Sequence, residues 1–247
     1  MLMPPAERER SDPSRWLGDA PMLNLRDDKL RLRVTTVTQF SRTEADKLRS
    51  ICAYVASIPF NVPAFAASRV TRVTLAHRHA VGWYSKAALF QAMLRAAGLP
   101  ARVRMIRVGN DMFRGLATTR QVFVLPVVEV WTHGKWVVTD NYVYDPRYLA
   151  AAREALERRG WRSGFGIHLE GQDRWNGTDD ALIMIAPDPA LGSIAQQFPG
   201  VYDDPQEFAL QLKRMSLLRW ITMLARNRIM SIRMNRQVRR LRSEAGS

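Results

Sequence analysis

Apolar positions recur along the chain with two different periods, and each period predicts its own kind of element. Ser41 stands three residues before Glu44, the spacing of a capping box, and after it Ala45, Leu48, Ile51, Cys52 and Val55 share one helical face. That helix is expected to end near Ser57, ahead of Pro59. From about Tyr84 to Ala97 a second stripe holds Ala87, Phe90, Leu94 and Ala97 with Leu89 and Met93 beside it, closed by Gly98 and Pro100. So apolar a helix is predicted to be the central buried one. Alternation in KLRLRVTTV (29–37) predicts a strand or extended segment, and strands are also expected at 101–108 and 121–131. WTHGKWVV reads as a hairpin with Gly134 at its turn, leading into a strand that ends by Asp140.

Asp145 and Pro146 supply the N-cap and first turn of a helix through about Arg158, before Gly160. Residues 160–200, rich in Gly, Pro and Asp, are expected to be mostly loop, as is the stretch 61–74. Asp204, Pro205 and Glu207 open a further helix whose apolar positions recur as far as Leu241. One rod over 205–241 would measure on the order of 55 Å, so a break is expected, with Asn227 the candidate. The reading divides the chain into a mobile N-terminal segment (1–22), a body (23–204) and a basic amphipathic C-terminal helical segment (205–247).

With 247 residues and 47% apolar content the chain can bury a substantial core. Its net charge of +14 is concentrated: residues 213–242 hold ten Lys and Arg and no Asp or Glu, leaving +4 for everything else. An anionic partner, if there is one, therefore belongs to the C-terminal segment. The polar start MLMPPAERERSDPSRW has no apolar run behind a charged lead, and no stretch of 18 apolar residues occurs, so neither a signal peptide nor a spanning helix is expected. Cytoplasmic residence is the expectation, peripheral membrane attachment included, and the single Cys52 fits a reducing compartment.

The segment GWYSKAALFQAMLRAAGLPARV (82–103), followed by Val128, Glu129, Val130, then Gly134, Lys135, Trp136 and Asp140, resembles the core of the transglutaminase-like superfamily. The resemblance covers roughly residues 40–145 and implies an α+β fold with a papain-like arrangement, a central buried helix packed on an antiparallel sheet. It also implies a Cys, His and Asp triad, with the Cys three residues before Lys86 and the His four before Glu129. Trp83 and Leu125 stand there instead, and only Asp140 matches; sliding the alignment by one residue puts Tyr84 in the nucleophile's place. Indole offers no nucleophilic lone pair and Leu carries no proton, so acyl transfer by the family's route is excluded.

Other chemistry is weaker. Ser85 as a rescue nucleophile needs an imidazole in reach, and His79 is the nearest in sequence, while inherited helix-start residues explain Tyr84 and Ser85 more simply. His77 and His79 alternate as two ligands on a strand would, but no third ligand is spaced to join them, and no metal or cofactor is expected. Cys52, on a core-facing helix position, reads as an inert packed thiol, and His133 and His168 as solvated imidazoles. Glycines form no phosphate loop and no dinucleotide fingerprint. Trp83, Tyr84 and Asp140 are the candidate ligand-binding residues, Trp83 either flooring a pocket or plugging it, Asp140 either a remnant orienting group or a turn cap.

Arg219, Arg226, Arg228, Arg233 and Arg236 interleave with Trp220, Ile221, Ile229 and Ile232 and form a candidate surface for an anionic membrane or a protein partner, against the plain alternative of a solvated helix face. Nucleic acid is the least favoured partner and a homo-oligomer is open. The function expected is that of a catalytically inactive transglutaminase-like protein with a binding, scaffolding or regulatory role. The alternative is an enzyme using non-thiol chemistry on a peptide, amide or acyl substrate in a reshaped cleft.

Overall fold

The computed structural model describes residues 7–62, 82–117, 122–185, 197–198, 200–211 and 217–244, with side chains left undescribed at Glu7 and over 209–227. Its centre is a four-stranded antiparallel sheet built from β1 (Ala101–Val108), β2 (Phe123–Thr132), β3 (Lys135–Thr139) and a short β6 (Val201–Tyr202), in the order β3-β2-β1-β6. A minimal hairpin, β4 (Ser163–Gly164) with β5 (Ile167–His168), lies outside it. The sheet and the helices together make an α+β fold, as expected.

Helix α1 (Asp28–Thr38) occupies the stretch expected to be extended. Asp27 accepts from the backbone of Lys29 and Leu30, and the hydroxyls of Thr35, Thr36 and Thr38 donate to carbonyls four residues back. Leu30 and Val34, four apart, are the buried pair, so the helical period overrides the local alternation of Leu and Arg. Helix α2 (Glu44–Ser57) buries Leu48, Ile51, Cys52 and Val55 as its pattern predicts, but its capping box is Thr43 with Asp46. The expected box of Ser41 and Glu44 is not the one used: Glu44 accepts instead from Thr132 Oγ1 at the end of β2.

Helix α3 (Trp83–Ala96) is enclosed by the sheet on one side and by α1 and α2 on the other, which is why its apolar residues surround the axis. Polar side chains inside this sandwich end on backbone oxygens. Gln91 donates to the carbonyls of Ala101 and Asp203, Arg95 to those of Ala101, Gly18 and Asp203, and Lys86 to that of Ala56. Gly98, at φ 82°, lets Leu99 N–H turn back to the Leu94 carbonyl and close the helix. Pro126 is accommodated within β2 because β3 pairs only from Val128 onward, leaving no ladder bond for it to break.

Helix α4 (Pro146–Arg159) starts at Asp145 and stops at a left-handed Gly160, both as predicted. After α5 (Pro205–Gln211), helix α6 (Leu217–Glu244) runs unbroken through Asn227, contrary to the expected break there. Asn costs a helix interior well under about 1 kcal/mol relative to Ala. That is small beside the contacts of the helix's second half, where Met234, Val238 and Leu241 are buried and Ser231 and Asn235 hold the Val62 carbonyl.

The stretch expected as a mobile lead-in is, from residue 7 to 22, a pair of short 3-10 turns seated on the sheet. Trp16 is wholly buried, its ring flanked by Arg15, Arg95 and Arg102. Arg8 pairs with Asp203 and Glu207, and Glu9 with Arg104. No aperiodic sequence signal announces such contacts, which reach up to 199 residues along the chain.

Candidate functional site

Trp83 is the first residue of α3, Leu125 lies within β2 and Asp140 directly follows β3. Only 5% of Trp83 is exposed. Its ring meets Phe60 edge-on at 4.9 Å and Phe113 at 5.5 Å, and its Nε1–H donates to the Tyr144 hydroxyl at 3.1 Å. Tyr144 donates onward to the Gly166 carbonyl at 2.8 Å and stacks on Tyr148. Gly166 adopts φ 84°, and a side chain there would run into that same hydroxyl.

Leu125, also buried, faces Ile106 across the β1–β2 ladder. Its neighbours tie it to the rest of the site: the Tyr84 hydroxyl donates to the Val124 carbonyl at 2.9 Å and the Tyr142 hydroxyl to the Pro126 carbonyl at 3.2 Å. With their oxygens so placed and water excluded, burial pushes the Tyr84 phenol up to about 12 and that of Tyr142 well above its ordinary range.

Asp140 follows β3 and is fully buried. Both carboxylate oxygens accept from backbone amides of the loop after residue 180, Ile183 at 2.7 Å and Met184 at 3.0 Å. Burial pushes its carboxyl up to about 7, against the pull of those amide donors. The carboxylate is thus engaged by backbone amides on both oxygens. Burial pushes the Cys52 thiol up to about 12, with the Asp140 charge adding to the rise, and pulls the Lys86 ammonium down to about 7 against the charge of Asp145. Cys52 is buried on the core-facing side of α2, the place its helix position predicted.

Ser85 is buried on α3, at 6% exposure. His77 and His79 lie outside the described residues, as do the side chains of Arg219 and Arg226. His133 sits exposed in the β2–β3 turn with φ 50°, its Nδ1 2.8 Å from Thr132 Oγ1; His168 is half-buried rather than solvated, its Nδ1 accepting from Glu170 N–H. Among the described residues no group of three or more His, Cys, Asp or Glu is placed to hold a metal ion. None of their helices is long and apolar enough to cross a membrane.

Two buried charge assemblies escape a reading by motif. In the first, Arg102 and Arg104 on one face of β1 converge on Glu129 of β2, Arg102 Nε at 2.6 Å, and Arg104 also reaches Glu9 and the Phe198 carbonyl. Arg102 further lies 3.8 Å above the Trp136 ring. The signal was present in ARVRMIRV, where two Arg two residues apart share a strand face opposite a Glu. In the second, Asp145 accepts from Phe60 N–H at 2.7 Å, from Tyr148 N–H at 3.0 Å and from Arg242 of α6. The sequence identified Asp145 as a helix cap, but nothing local pairs it with a residue 97 positions away.

The family model of the transglutaminase-like superfamily matches residues 33–141. No curated protein matches the chain. Among solved structures, a candidate cysteine protease from Cytophaga hutchinsonii is similar at 16% identity with a TM-score of 0.41, over 53% of this chain and 42% of that one. The chain thus spans less than half the length of that relative. Residues 33–141 match the transglutaminase-like superfamily model, and Trp83 and Leu125, expected at its cysteine and histidine positions, fall inside that match.

Proposed function

We propose that this protein is a catalytically inactive member of its superfamily, in which the core serves binding, scaffolding or regulation. The observation that carries the reading is the state of Trp83. Its indole is packed edge-on against two aromatic rings and hydrogen-bonded to a third, filling the end of the central helix. Leu125 is equally enclosed, and Asp140 spends its oxygens on backbone amides, so none of the three is poised to attack an acyl carbon or to move a proton. The fully buried, high-pKa Cys52 offers no replacement thiolate and fits the reducing cytoplasm in which we place the protein.

The test is a panel of acyl, ester and amide substrates, including amine incorporation into a glutamine-bearing protein. No turnover above a denatured control is expected. Turnover that vanishes in Ser85→Ala or Asp140→Asn, with folding retained, would establish an enzyme and overturn the reading.

A further inference from the structure

Helix α6 divides its two faces between different tasks. Met234, Val238 and Leu241 pack into the core, Ser231 and Asn235 bind the Val62 carbonyl, and Arg242 reaches Asp145, so the helix is anchored by one side alone. The opposite side carries Arg228, Ile229, Ile232, Arg233, Arg236, Arg239 and Arg240, all exposed and joined along one face by steps of three and four residues such as 228 to 232 to 236 to 240 and 229 to 233. Within this part of the helix the one carboxylate is Glu244, which pairs with Arg240.

Ile229 and Ile232 are 55% and 54% exposed, one turn apart and flanked by Arg228, Arg233 and Arg236. A phosphate backbone would use the arginines but gain nothing from the two isoleucines, which offer it neither charge nor a hydrogen bond. A lipid surface uses both. Arginine forks match the headgroup phosphates, and branched alkyl groups enter the boundary beneath them. We propose that this face of α6 docks on an anionic phospholipid surface, with Ile229 and Ile232 in the headgroup layer and Arg228, Arg233 and Arg236 on lipid phosphates. The proposal rests on exposed residues other than those packed around Trp83, so it stands whether or not the core proves inactive.

Sedimentation of the full chain with vesicles of phosphatidylcholine alone, and of phosphatidylcholine mixed with phosphatidylglycerol, tests it. Pelleting is expected with the anionic vesicles only and should decline as salt rises. Each basic residue at such a surface is worth about five-fold in partitioning, so the R228Q/R233Q/R236Q variant should bind on the order of a hundred-fold more weakly. Ile229→Ser with Ile232→Ser should weaken binding at low salt without altering its salt dependence. All five positions are solvent-exposed, and unfolding curves matching the parent verify the fold; should a variant melt early, release of the unmodified chain by salt carries the same test. Failure to pellet with anionic vesicles, equal pelleting of parent and variants, or release by a polyglutamate or RNA competitor at charge parity with the lipid would overturn the assignment in favour of a solvated face, an acidic protein or a nucleic acid.

Discussion

Replacing Trp83 by Ala distinguishes a plug from the floor of an open cleft. The indole makes two edge-to-face ring contacts worth about 0.5–1.5 kcal/mol each beyond burial, and one hydrogen bond worth about 1 kcal/mol net. Tyr144 keeps its bond to the Gly166 carbonyl, so its hydroxyl is not orphaned by the change. Adding the lost transfer energy and the residual cavity, and allowing for relaxation of Phe60 and Phe113, the expected loss is about 3–5 kcal/mol. Trp83→Phe, which keeps a ring but not the N–H, should lose about 1–2 kcal/mol. Denaturant unfolding at equilibrium measures both. The cavity also gives a positive signal: free indole should raise the midpoint of Trp83→Ala and leave the parent unchanged, by about 2.7 kcal/mol at a hundred times its dissociation constant. A loss below about 1 kcal/mol with no response to indole would refute the packing argument, because an exposed or ligand-facing ring costs little to remove.

Asp145→Asn and Arg242→Met, made singly and together, should show a coupling energy of about 1–3 kcal/mol in a double-mutant cycle; additivity within about 0.5 kcal/mol would mean that the ion pair does not hold α6. The folded Asp140 carboxyl titrates at about 7 against an ordinary 3.8, so its contribution to stability is full below the lower value and is lost as pH rises to the upper. The stability of the parent minus that of Asp140→Asn should therefore fall from about pH 4 to 7, and a flat difference counts against a buried charge. Lys86 behaves in the opposite sense: its pKa drops from 10.5 to about 7, so its contribution is full above the higher value and is lost as pH falls toward the lower. Parent minus Lys86→Met should rise between about pH 7 and 10.5, and denaturation curves across that window check it. Thr43→Ala should cost about 1 kcal/mol while Ser41→Ala costs only a few tenths, and equal losses would return the cap to Ser41.

The elements that were legible in the sequence are those whose signals are local and mutually consistent. Helix α3 has its stripe, Gly98 and Pro100; α4 has Asp145, Pro146 and Gly160; the β2–β3 hairpin has Gly134, which takes φ 75° at the turn. Helix α1 misled because Leu30 and Leu32 alternate with Arg31 and Arg33 as in a half-buried strand, yet Leu32 is 69% exposed. The decisive information was the Asp27 cap and the four-residue step from Leu30 to Val34. Ser41–Glu44 and Thr43–Asp46 both fit a capping box, and the choice rests on tertiary contact, since Thr132 takes Glu44 for itself. For the candidate site, the residue types at positions 83, 125 and 140 could be read directly. The engagement of Asp140 by Ile183 and Met184 could not, because it depends on how a loop with no periodicity folds back.

Glu9 carries a consequence for the limits of the folding unit. It is one of two carboxylates on the wholly buried Arg104, and it also accepts from Gly200 N–H, joining the first turns of the chain to the approach to β6. A fragment cut to the 33–141 match would retain the central helix and three strands but strand two guanidinium groups around a lone Glu129, uncover the slot now occupied by Trp16, and discard both partners of the Arg242–Asp145 pair, including the Asp145 oxygen that holds Phe60 N–H. The matched segment is therefore narrower than the network of buried charges, which runs from Arg8 and Glu9 to Arg242 near the end of α6.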